Sequence, residues 1–342
     1  EEPREWEAMI HNIRRAENAL GKKCLVYMDL SGPKLRTEAI DPSGAISDER
    51  KGDYLLLHQG DDIRIVRNLP ERLPAGMAEG SRCTCVSISL PRVFEDVRPG
   101  ERIFFDDGKI RGQITDVSPE DFGVRVTYAG LEGAKLRADK GINLPDTCLR
   151  LPSLTDDDHA NLPFIARYAD IVGYSFVRTP SDVEHLQDEL QSQGRSDIGI
   201  ILKIETKESF ENLPMLLLTA MRSPKVGVMI ARGDLAVEMG FERIAEVQEE
   251  ILWICEAAHI PGIWATQVLE KLASKGIATR AEITDAAMAA RAECVMLNKG
   301  PYIVNAVAAL DDIILRMESH QFKRMSNLRP LMVARHFLDA QP

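Results

Sequence analysis

The sequence lacks the features that mark a membrane, exported or nucleic-acid-binding protein. No apolar run approaches the ~18 residues that a transmembrane helix needs, and no charged-then-apolar leader opens the chain. An excess of positive charge is missing too, since the formal net charge is −11. The field of the whole molecule would therefore repel nucleic acids and anionic membranes. These absences predict a cytoplasmic protein that binds neither nucleic acids nor membranes. They do not exclude a small anionic substrate.

Cysteines are few and scattered, and no two of them form a CxxC pair. In a chain of 342 residues this pattern predicts reduced, mostly buried thiols rather than a disulfide or zinc framework. Cys83 and Cys85 could be a fragment of a metal site, but their alternation favours two positions on a strand. The six cysteines are Cys24, Cys83, Cys85, Cys148, Cys255 and Cys294.

In the first third of the chain, a short helix and a strand are followed by a region with a different hydrophobic pattern. Residues 5–20 have apolar residues at helical spacing and end at Gly21, a good helix stop. The apolar run CLVYMD follows and ends abruptly on Asp29. From residue 32 to residue 141, short alternating runs such as DIRIV and GVRVTYA are separated by Gly, Pro and Asp clusters. These alternating runs predict a small antiparallel β domain.

From Pro152 onward, apolar runs alternate with amphipathic stretches. The polar residue that ends each run recurs every 28 to 34 residues. Repeats of about 30 residues with one strand and one helix are βα units, and fully apolar strands indicate a parallel sheet covered on both faces. The runs are DIVGYSFV, IGIILKI, VGVMIA, GIWAT and ECVMLN.

Together with CLVYMD, these runs give six parallel strands of a TIM-type (β/α) barrel that has eight. We expect the two other strands to precede Glu1. The predicted domains are the first part of the barrel (1–32), an inserted β-rich lid domain (33–142), the second part of the barrel (143–320) and a C-terminal tail (321–342). A doubly wound open sheet is the alternative, and the placement of the polar residues disfavours it. Capping sequences at Thr179 and Thr279 predict two helix starts.

Each of the six strands ends in a polar residue, and in a parallel barrel these ends meet on one rim, where barrel active sites lie. Any one of them could be a helix cap or part of a salt bridge, but the recurrence favours a site. The residues are Asp29, Ser175, Lys203 with Glu205, Arg232 with Asp234, Thr266 with Gln267, and Asn298 with Lys299.

Two neighbouring strand ends carry a metal-like pattern. Lys203 and Glu205 are two residues apart, so both point to the same side of a strand. The next strand ends in Arg232-Gly233-Asp234. Carboxylates from neighbouring strands suit Mg²⁺, and Lys203 would neutralise charge on a transferring group. A plain ion pair and a tight turn at Gly233 are the alternatives.

At these residues the chain resembles the pyruvate kinase family. The similarity runs in the family's order to about residue 318, through a DxxGPxIR-like stretch at 28–37, a DDG turn at 104–110 and a KGVNLP-like exit at 140–145. Five further segments each resemble a family motif. They are DIVGYSFVRTPSDV, ILKIET, VMIARGDLAVE, WATQVLE and TRAEITDAAMA.

The resemblance implies phosphoryl transfer from phosphoenolpyruvate to ADP, a homo-oligomer, and a role for each matching residue. Glu205 and Asp234 would bind Mg²⁺ or Mn²⁺, Lys203 would stabilise the phosphoryl group, and Thr266 would act through water in protonating the enolate. The backbone of Ala231, Arg232 and Gly233 would bind the substrate carboxylate, and Ser175 and Phe176 would line the substrate pocket. The nucleotide would bind near Arg36, Asp107 and Lys140. A monovalent cation such as K⁺ would bind beside Asp29.

Four features depart from the family pattern. The strand with the family's RxNFSHG motif would lie before Glu1, and we expect the C-terminal domain with its sugar-phosphate site to be absent. Leu30 stands where many members have a Thr cation ligand. The last strand ends MLNKGPY, so Lys299 adds positive charge at the rim and Gly300 replaces a carboxylate. Lys299 is either a surface lysine or an extra contact to substrate phosphate or carboxylate.

Two other functions share the same residues. One is metal-enolate carbon chemistry, as in a lyase or aldolase, and the other is a non-catalytic binding protein on the same fold. The DDG and KGINLP segments favour the kinase, because a lid sequesters a nucleotide. Retention of Lys203, Glu205, Asp234 and Thr266 together disfavours a non-catalytic protein.

Overall fold

The computed structural model of the chain describes residues 3–40, 53–69 and 84–321. The chain divides into two compact units. The barrel unit comprises Glu1–Gly32, Ser153–Leu235 and Glu242–Pro342, and the β unit comprises Pro33–Pro152 with Ala236–Phe241. The β unit extends past residue 142, where the sequence analysis places the boundary.

The described residues form fifteen strands and eleven helices. The strands are β1 (Tyr27–Leu30), β2 (Thr37–Ile40), β3 (Tyr54–Leu57), β4 (Asp62–Val66), β5 (Thr84–Ile88), β6 (Arg102–Phe105), β7 (Ile110–Val117), β8 (Asp121–Tyr128), β9 (Ala134–Arg137), β10 (Ile142–Asn143), β11 (Ile171–Tyr174), β12 (Gly199–Ile204), β13 (Val226–Ala231), β14 (Gly262–Ala265) and β15 (Cys294–Val295). The helices are α1 (Pro3–Leu20), α2 (Val93–Asp96), α3 (Asp156–Tyr168), α4 (Pro180–Ser192), α5 (Lys207–Glu211), α6 (Leu213–Ala220), α7 (Arg232–Met239), α8 (Ile244–Ala258), α9 (Glu270–Lys275), α10 (Arg280–Ala289) and α11 (Ile303–Gln321).

The barrel unit contains one parallel sheet of six strands, in the order β1-β11-β12-β13-β14-β15. Every adjacent pair is parallel, and the strands follow one another in chain order. The six predicted strands and their parallel pairing are therefore confirmed. Among the described strands, β1 and β15 each have one neighbour, so the sheet is part of a barrel rather than a closed one.

Both faces of this sheet are apolar. Ile201, Met229 and Ala265 form a buried cluster on the face that also carries Lys203, since these positions share the two-residue period of the strands. On the other face, Leu202 and Trp264 are fully buried. Burial on both faces explains why the strand sequences are continuously apolar and not alternating.

Four helices of the barrel unit begin with a capping box, in which a threonine hydroxyl accepts a hydrogen bond from the backbone three residues on. The predicted starts at Thr179 and Thr279 are confirmed. Thr155 caps α3 and Thr206 caps α5 in the same way. These caps fix where the chain turns from one element to the next.

The β unit contains a seven-stranded sheet, in the order β10-β6-β7-β8-β4-β5-β2, and a two-stranded sheet of β3 and β9. The pairing is antiparallel except between β4 and β5, which run parallel. The unit has its own buried core, in which the rings of Phe94 and Phe122 lie 5.3 Å apart. A separate core is what allows the unit to be compact by itself.

None of the five cysteines in the described part of the chain forms a disulfide bond. Cys85 lies buried on β5, as its alternation predicts, whereas Cys83 lies outside the described residues. The expectation of mostly buried thiols is wrong, because Cys24, Cys148 and Cys294 are exposed. Cys24 and Cys148 lie outside helices and strands, and Cys294 begins β15 at the edge of its sheet.

Among the helices that the structure describes, none combines the length and the apolar character needed to cross a membrane.

Candidate active site

Lys203 lies at the centre of a polar cluster at the carboxyl ends of the barrel strands. Its Nζ donates a hydrogen bond to Ser175 Oγ at 2.8 Å. The same Nζ lies 3.4 Å from Asp29 Oδ2 and 3.5 Å from Glu205 Oε1. The contact with Glu205 confirms that the two side chains point to the same side of β12. Three successive strands thus contribute to one cluster.

The charge of Lys203 is set by its surroundings. Its side chain is only 13% exposed. This burial lowers the pKa of Lys203, but the negative charges of Glu205 and Asp29 outweigh it and the net shift of the pKa is upward. The ammonium group therefore stays positively charged at neutral pH, as an electrostatic role requires.

Glu205 is held in place by the backbone of the preceding βα turn. The residue is 5% exposed, and its Oε2 accepts a hydrogen bond from the backbone N–H of Phe176 at 2.7 Å. Phe176 adopts a left-handed backbone conformation, with φ of 53°. Such conformations cost energy for a bulky residue and concentrate at functional sites. Here the conformation presents an N–H group to a buried carboxylate.

Asp29 is oriented by Tyr27, which lies two residues earlier on the same strand. The Tyr27 hydroxyl donates to Asp29 Oδ1 at 2.5 Å. Burial, followed by the charge of Asp29, raises the pKa of Tyr27, so the hydroxyl keeps its proton and remains a donor. Gly173 pairs with Asp29 across the two strands, and a Cβ there would overlap both partners of this hydrogen bond.

The start of α7 forms a second part of the site. Strand β13 ends at Ala231, which is buried, and the helix begins directly at Arg232. The first N–H groups of a helix have no partner within it and favour an anion. A Cβ on Gly233 would meet one described atom within 4 Å, Thr266 Cγ2 at 3.9 Å. The helix start can therefore be approached closely by a ligand.

The guanidinium group of Arg232 is engaged within the protein. It donates to the carbonyl oxygens of Ala265 at 2.8 Å and Thr266 at 2.6 Å. It also pairs with Asp285, with an Nη2–Oδ2 distance of 2.8 Å, and lies 4.7 Å from the centroid of the Trp264 ring. Because the guanidinium group already has these partners, the substrate contact predicted for Arg232 would be made by its backbone N–H.

Thr266 carries the most unusual backbone at the strand ends. Its φ is 67°, and that of Gln267 is 58°. A left-handed conformation is a genuine outlier for a β-branched residue. The two carbonyl contacts of Arg232 hold this strained turn, so the backbone position of Thr266 depends on the first residue of α7.

The predicted metal ligands lie at adjacent strand ends. Glu205 directly follows β12, and Asp234 lies in the first turn of α7, directly after β13. The register pairs Ile204 with Ile230, so the segments that carry the two carboxylates leave the sheet at neighbouring strand ends. Carboxylate oxygens near a buried ammonium and a helix N-terminus suit Mg²⁺ with substrate oxygens and water completing its shell. The residues present fit such an ion.

Lys299 and Gly300 lie in the connection between β15 and α11. Lys299 is exposed. A Cβ on Gly300 would overlap the backbone oxygen of Ala273 in α9, and that oxygen accepts a hydrogen bond from Tyr302 N at 3.0 Å. The small residue at 300 is thus a packing requirement, whereas a substrate contact by Lys299 stays a prediction.

The three predicted nucleotide residues lie on neighbouring segments of the β unit. Arg36 pairs with Asp139 at 3.3 Å and forms a β-bridge with Gly141. Lys140 Nζ lies 3.1 Å from Oδ1 of Asp106, the residue that precedes Asp107. Asp106 and Asp107 lie in the turn between β6 and β7, and both have left-handed φ values.

The charge of Asp106 in this turn is also perturbed. Burial raises the pKa of Asp106, but hydrogen bonds from Lys109 and Lys140 outweigh it and the net shift is downward. Its carboxylate therefore remains ionised and fixes Lys140 beside the turn.

Sequence reasoning missed three residues that shape the site. Tyr27 orients Asp29, and Asp285 holds Arg232. Asp158 is 1% exposed and accepts hydrogen bonds from the backbone of Ser31 at 2.8 Å and Gly32 at 3.1 Å, where the chain leaves β1. The two-residue spacing from Asp29 could have identified Tyr27. The capping pattern with Thr155 indicates Asp158 locally, but its partners after β1 and the Arg232 partner of Asp285 are distant in sequence.

Comparison with known proteins agrees with this geometry. The family described as pyruvate kinase, barrel domain, matches residues 2–307. The chain is 31% identical over 341 residues to the pyruvate kinase of Bacillus licheniformis, covering 97% of this chain and 54% of the relative. It is 32% identical over 316 residues to the enzyme of Geobacillus stearothermophilus, covering 90% and 49%. For Clostridium perfringens the figures are 29% over 319 residues, 91% and 61%.

The chain thus spans about half the length of the first two relatives, and the residues matched by the family model include every strand end described above. It belongs to the pyruvate kinase family.

Proposed function

We propose that this chain carries the catalytic barrel of an enzyme that transfers a phosphoryl group from phosphoenolpyruvate to ADP, giving pyruvate and ATP. The observation that carries the proposal is the buried Lys203 ammonium, held by Ser175, Asp29 and Glu205 at the same strand ends as the open start of α7. A fixed cation of this kind stabilises charge on a phosphoryl group in flight.

The start of α7 would bind the substrate carboxylate. The N–H groups of Arg232, Gly233 and Asp234 lie in the first turn of the helix, where partial positive charge favours an anion. The predicted pocket wall consists of Ser175, which is 3% exposed, and Phe176, which is half-buried. Fixed donors at one end and Lys203 at the other would orient the substrate for transfer.

Glu205 and Asp234 would hold Mg²⁺ or Mn²⁺, and a monovalent cation such as K⁺ would bind beside Asp29. The bound divalent ion would supply positive charge to the phosphate and carboxylate oxygens. Glu205 is suited to this because its carboxylate is already oriented by the Phe176 N–H. Lys203 would balance the charge of the carboxylates before substrate arrives.

Thr266 would position the water that protonates the enolate of pyruvate. Thr266 directly follows β14, and its methyl carbon Cγ2 lies 3.9 Å from the position that a Cβ on Gly233, at the α7 start, would occupy. Arg232 holds the Thr266 backbone from which the hydroxyl projects. ADP would be bound with the help of Arg36, Asp107 and Lys140, and a cytoplasmic homo-oligomer stays the prediction for the whole protein.

A coupled assay of pyruvate formation tests the proposal. We expect turnover by the wild type with Mg²⁺ and K⁺, and a loss of roughly 10²–10³-fold in kcat for Lys203→Met. Lys207→Met is the matched control, because Lys207 is an exposed lysine of the same βα segment, and it should leave kcat unchanged. Absence of wild-type turnover with several nucleotides and monovalent ions would contradict the proposal.

Exchange of solvent deuterium into pyruvate separates this reaction from metal-enolate carbon chemistry. The kinase shows exchange together with phosphoryl transfer between the two substrates. Exchange in a protein that turns over no nucleotide under any of these conditions would favour the lyase or aldolase reaction instead.

A further inference from the structure

A second cluster of ligating side chains lies away from the strand ends, on helices α3 and α4. His159 lies near the start of α3, while His185 and Glu189 lie one turn apart on the same side of α4. His159 Nδ1 is 3.8 Å from Glu189 Oε1, and His185 Nε2 is 3.7 Å from the same oxygen. The two imidazole rings lie 5.6 Å apart.

The spacing of these donor atoms is close to that of a metal site. One nitrogen from each ring and a Glu189 oxygen all lie within 4.8 Å of one another. With metal–ligand distances of about 2.0–2.2 Å, tetrahedral ligand atoms lie about 3.3–3.5 Å apart. The two nitrogen–oxygen separations of 3.8 Å and 3.7 Å exceed this slightly, and the side chains are 37%, 50% and 31% exposed, so they have room to rotate around an ion.

The chemistry of the donors selects the kind of ion. Two imidazole nitrogens and one carboxylate oxygen form a donor set found in zinc sites that keep an open fourth position. Mg²⁺ and Ca²⁺ prefer sites made only of oxygen ligands, so this set disfavours them. An ordinary ion pair with Glu189 is the competing explanation. It would require a protonated imidazole and would not need two rings around one oxygen.

We propose that His159, His185 and Glu189 bind a first-row transition-metal ion, with Zn²⁺ as the reference ion, at a site separate from the catalytic one. The ion would join α3 to α4. These two helices precede and follow β11, the strand that leads into Ser175. This inference rests on the geometry of the two helices and does not depend on the proposed kinase reaction.

Histidine ring signals in an NMR titration test the site directly. Excess Mg²⁺ would be present to occupy carboxylate sites, and accessible thiols would first be alkylated, because exposed cysteines also bind Zn²⁺. On addition of ZnCl₂, we expect the His159 and His185 signals to shift together and to saturate at one equivalent. The other histidine signals should remain unchanged at that point.

Variants separate a three-ligand site from incidental binding. His159→Ala, His185→Ala and Glu189→Gln should each weaken Zn²⁺ binding at least tenfold. His11→Ala, which removes an exposed histidine from α1, is the matched control and should bind as the wild type does. The proposal is overturned if neither ring signal shifts at one equivalent, if only one of them shifts, or if Glu189→Gln binds with unchanged affinity.

Discussion

At the scale of single residues, the turn after β1 depends on a glycine. Gly32 has φ of 64°, and a Cβ there would lie 2.8 Å from the backbone oxygen of Ser175. Gly32→Ala should therefore lower the free energy of unfolding by about 2 kcal/mol or more, combining left-handed strain with a steric clash. Because the clash displaces the partner of Lys203, kcat should fall as well. Urea denaturation and the pyruvate assay measure the two effects.

Gly21→Ala is the matched control for this prediction. Gly21 has φ of 65°, but a Cβ there would meet no described atom within 4 Å. The substitution should cost only the backbone strain, about 1 kcal/mol, and leave kcat unchanged. Equal losses of stability in the two variants would show that the contact with Ser175 is unimportant.

Substitution of Arg232 tests whether this residue, at the start of α7, holds the strained turn at Thr266. Arg232→Lys keeps the charge but loses the planar fork that reaches Asp285 and two carbonyl oxygens. We expect kcat to fall at least tenfold with little change in KM for phosphoenolpyruvate, because the lysine keeps the backbone N–H that we propose as the substrate contact. The stability should fall by about 1–3 kcal/mol.

Arg222→Lys provides the comparison. Arg222 pairs with Glu184 at 2.7 Å on the surface, with the arginine side chain 65% exposed. Exposed pairs contribute at most about 1 kcal/mol, so stability and kinetics should both stay near the wild-type values. A Thr266 position independent of Arg232 would instead show as an unchanged kcat in Arg232→Lys.

Only part of the site could be predicted from the sequence. The cluster of Lys203 and Glu205 follows from the two-residue period of a strand, and the proximity of strand ends follows from the parallel fold. The engagement of Arg232 by Asp285 could not be predicted, because the two residues are 53 positions apart. The positive φ of Thr266 was equally hidden, since β-branched residues normally avoid it.

At the scale of elements, the capping box of α10 should give stability a measurable pH dependence. Burial raises the pKa of Glu282, but hydrogen bonds from the backbone N–H groups of Thr279 and Lys271 outweigh it, so the pKa lies below its ordinary value of 4.5. The ionised carboxylate then stabilises the folded state above that pH. The contribution is lost as the pH falls through the lowered pKa.

Glu282→Gln measures this contribution. The wild type should be more stable than the variant by about 0.3–1 kcal/mol at pH 7, and the difference should shrink below pH 4.5. Glu270→Gln is the control, since Glu270 is an exposed acid in the first turn of α9, which has no side-chain cap. A stability difference that is constant from pH 7 to pH 3 would show that ionisation of Glu282 is irrelevant.

Element boundaries and pairings were predictable to different degrees. The apolar runs located all six strands of the barrel unit, and the threonine caps located two helix starts, because these signals are local. The parallel pair of β4 and β5 in the β unit had no such signal. Pairing between strands depends on contacts that are distant along the chain, so the alternating runs predict strands without fixing their direction.

At the scale of the whole molecule, the separate core of the β unit predicts independent folding. All strands of its two sheets lie within residues 33–152, together with the buried pair Phe94 and Phe122. We expect a fragment of residues 33–152 to give a β-type circular dichroism spectrum and one cooperative urea transition. Because Ala236–Phe241 belongs to the same unit, the midpoint should lie below that of the unit in the whole chain.

Phe122→Ala in the same fragment is the control for a native core. The ring is fully buried, so its removal should cost about 3–5 kcal/mol and abolish or greatly shift the transition. A fragment whose unfolding is gradual, or unaffected by this substitution, would show that the β unit needs the rest of the chain.

The contact of Gly300 with α9 also constrains how this protein can evolve. Any side chain at position 300 would overlap the Ala273 carbonyl, including the carboxylate that the family pattern carries there. A side chain at position 300 therefore requires a shift of the α9 backbone. The helix must move before a larger residue fits at position 300. The effect of a replacement there therefore depends on the residues that position α9, which is a case of epistasis. The order of substitutions at position 300 and in α9 therefore matters, because a change that moves the helix has to come first.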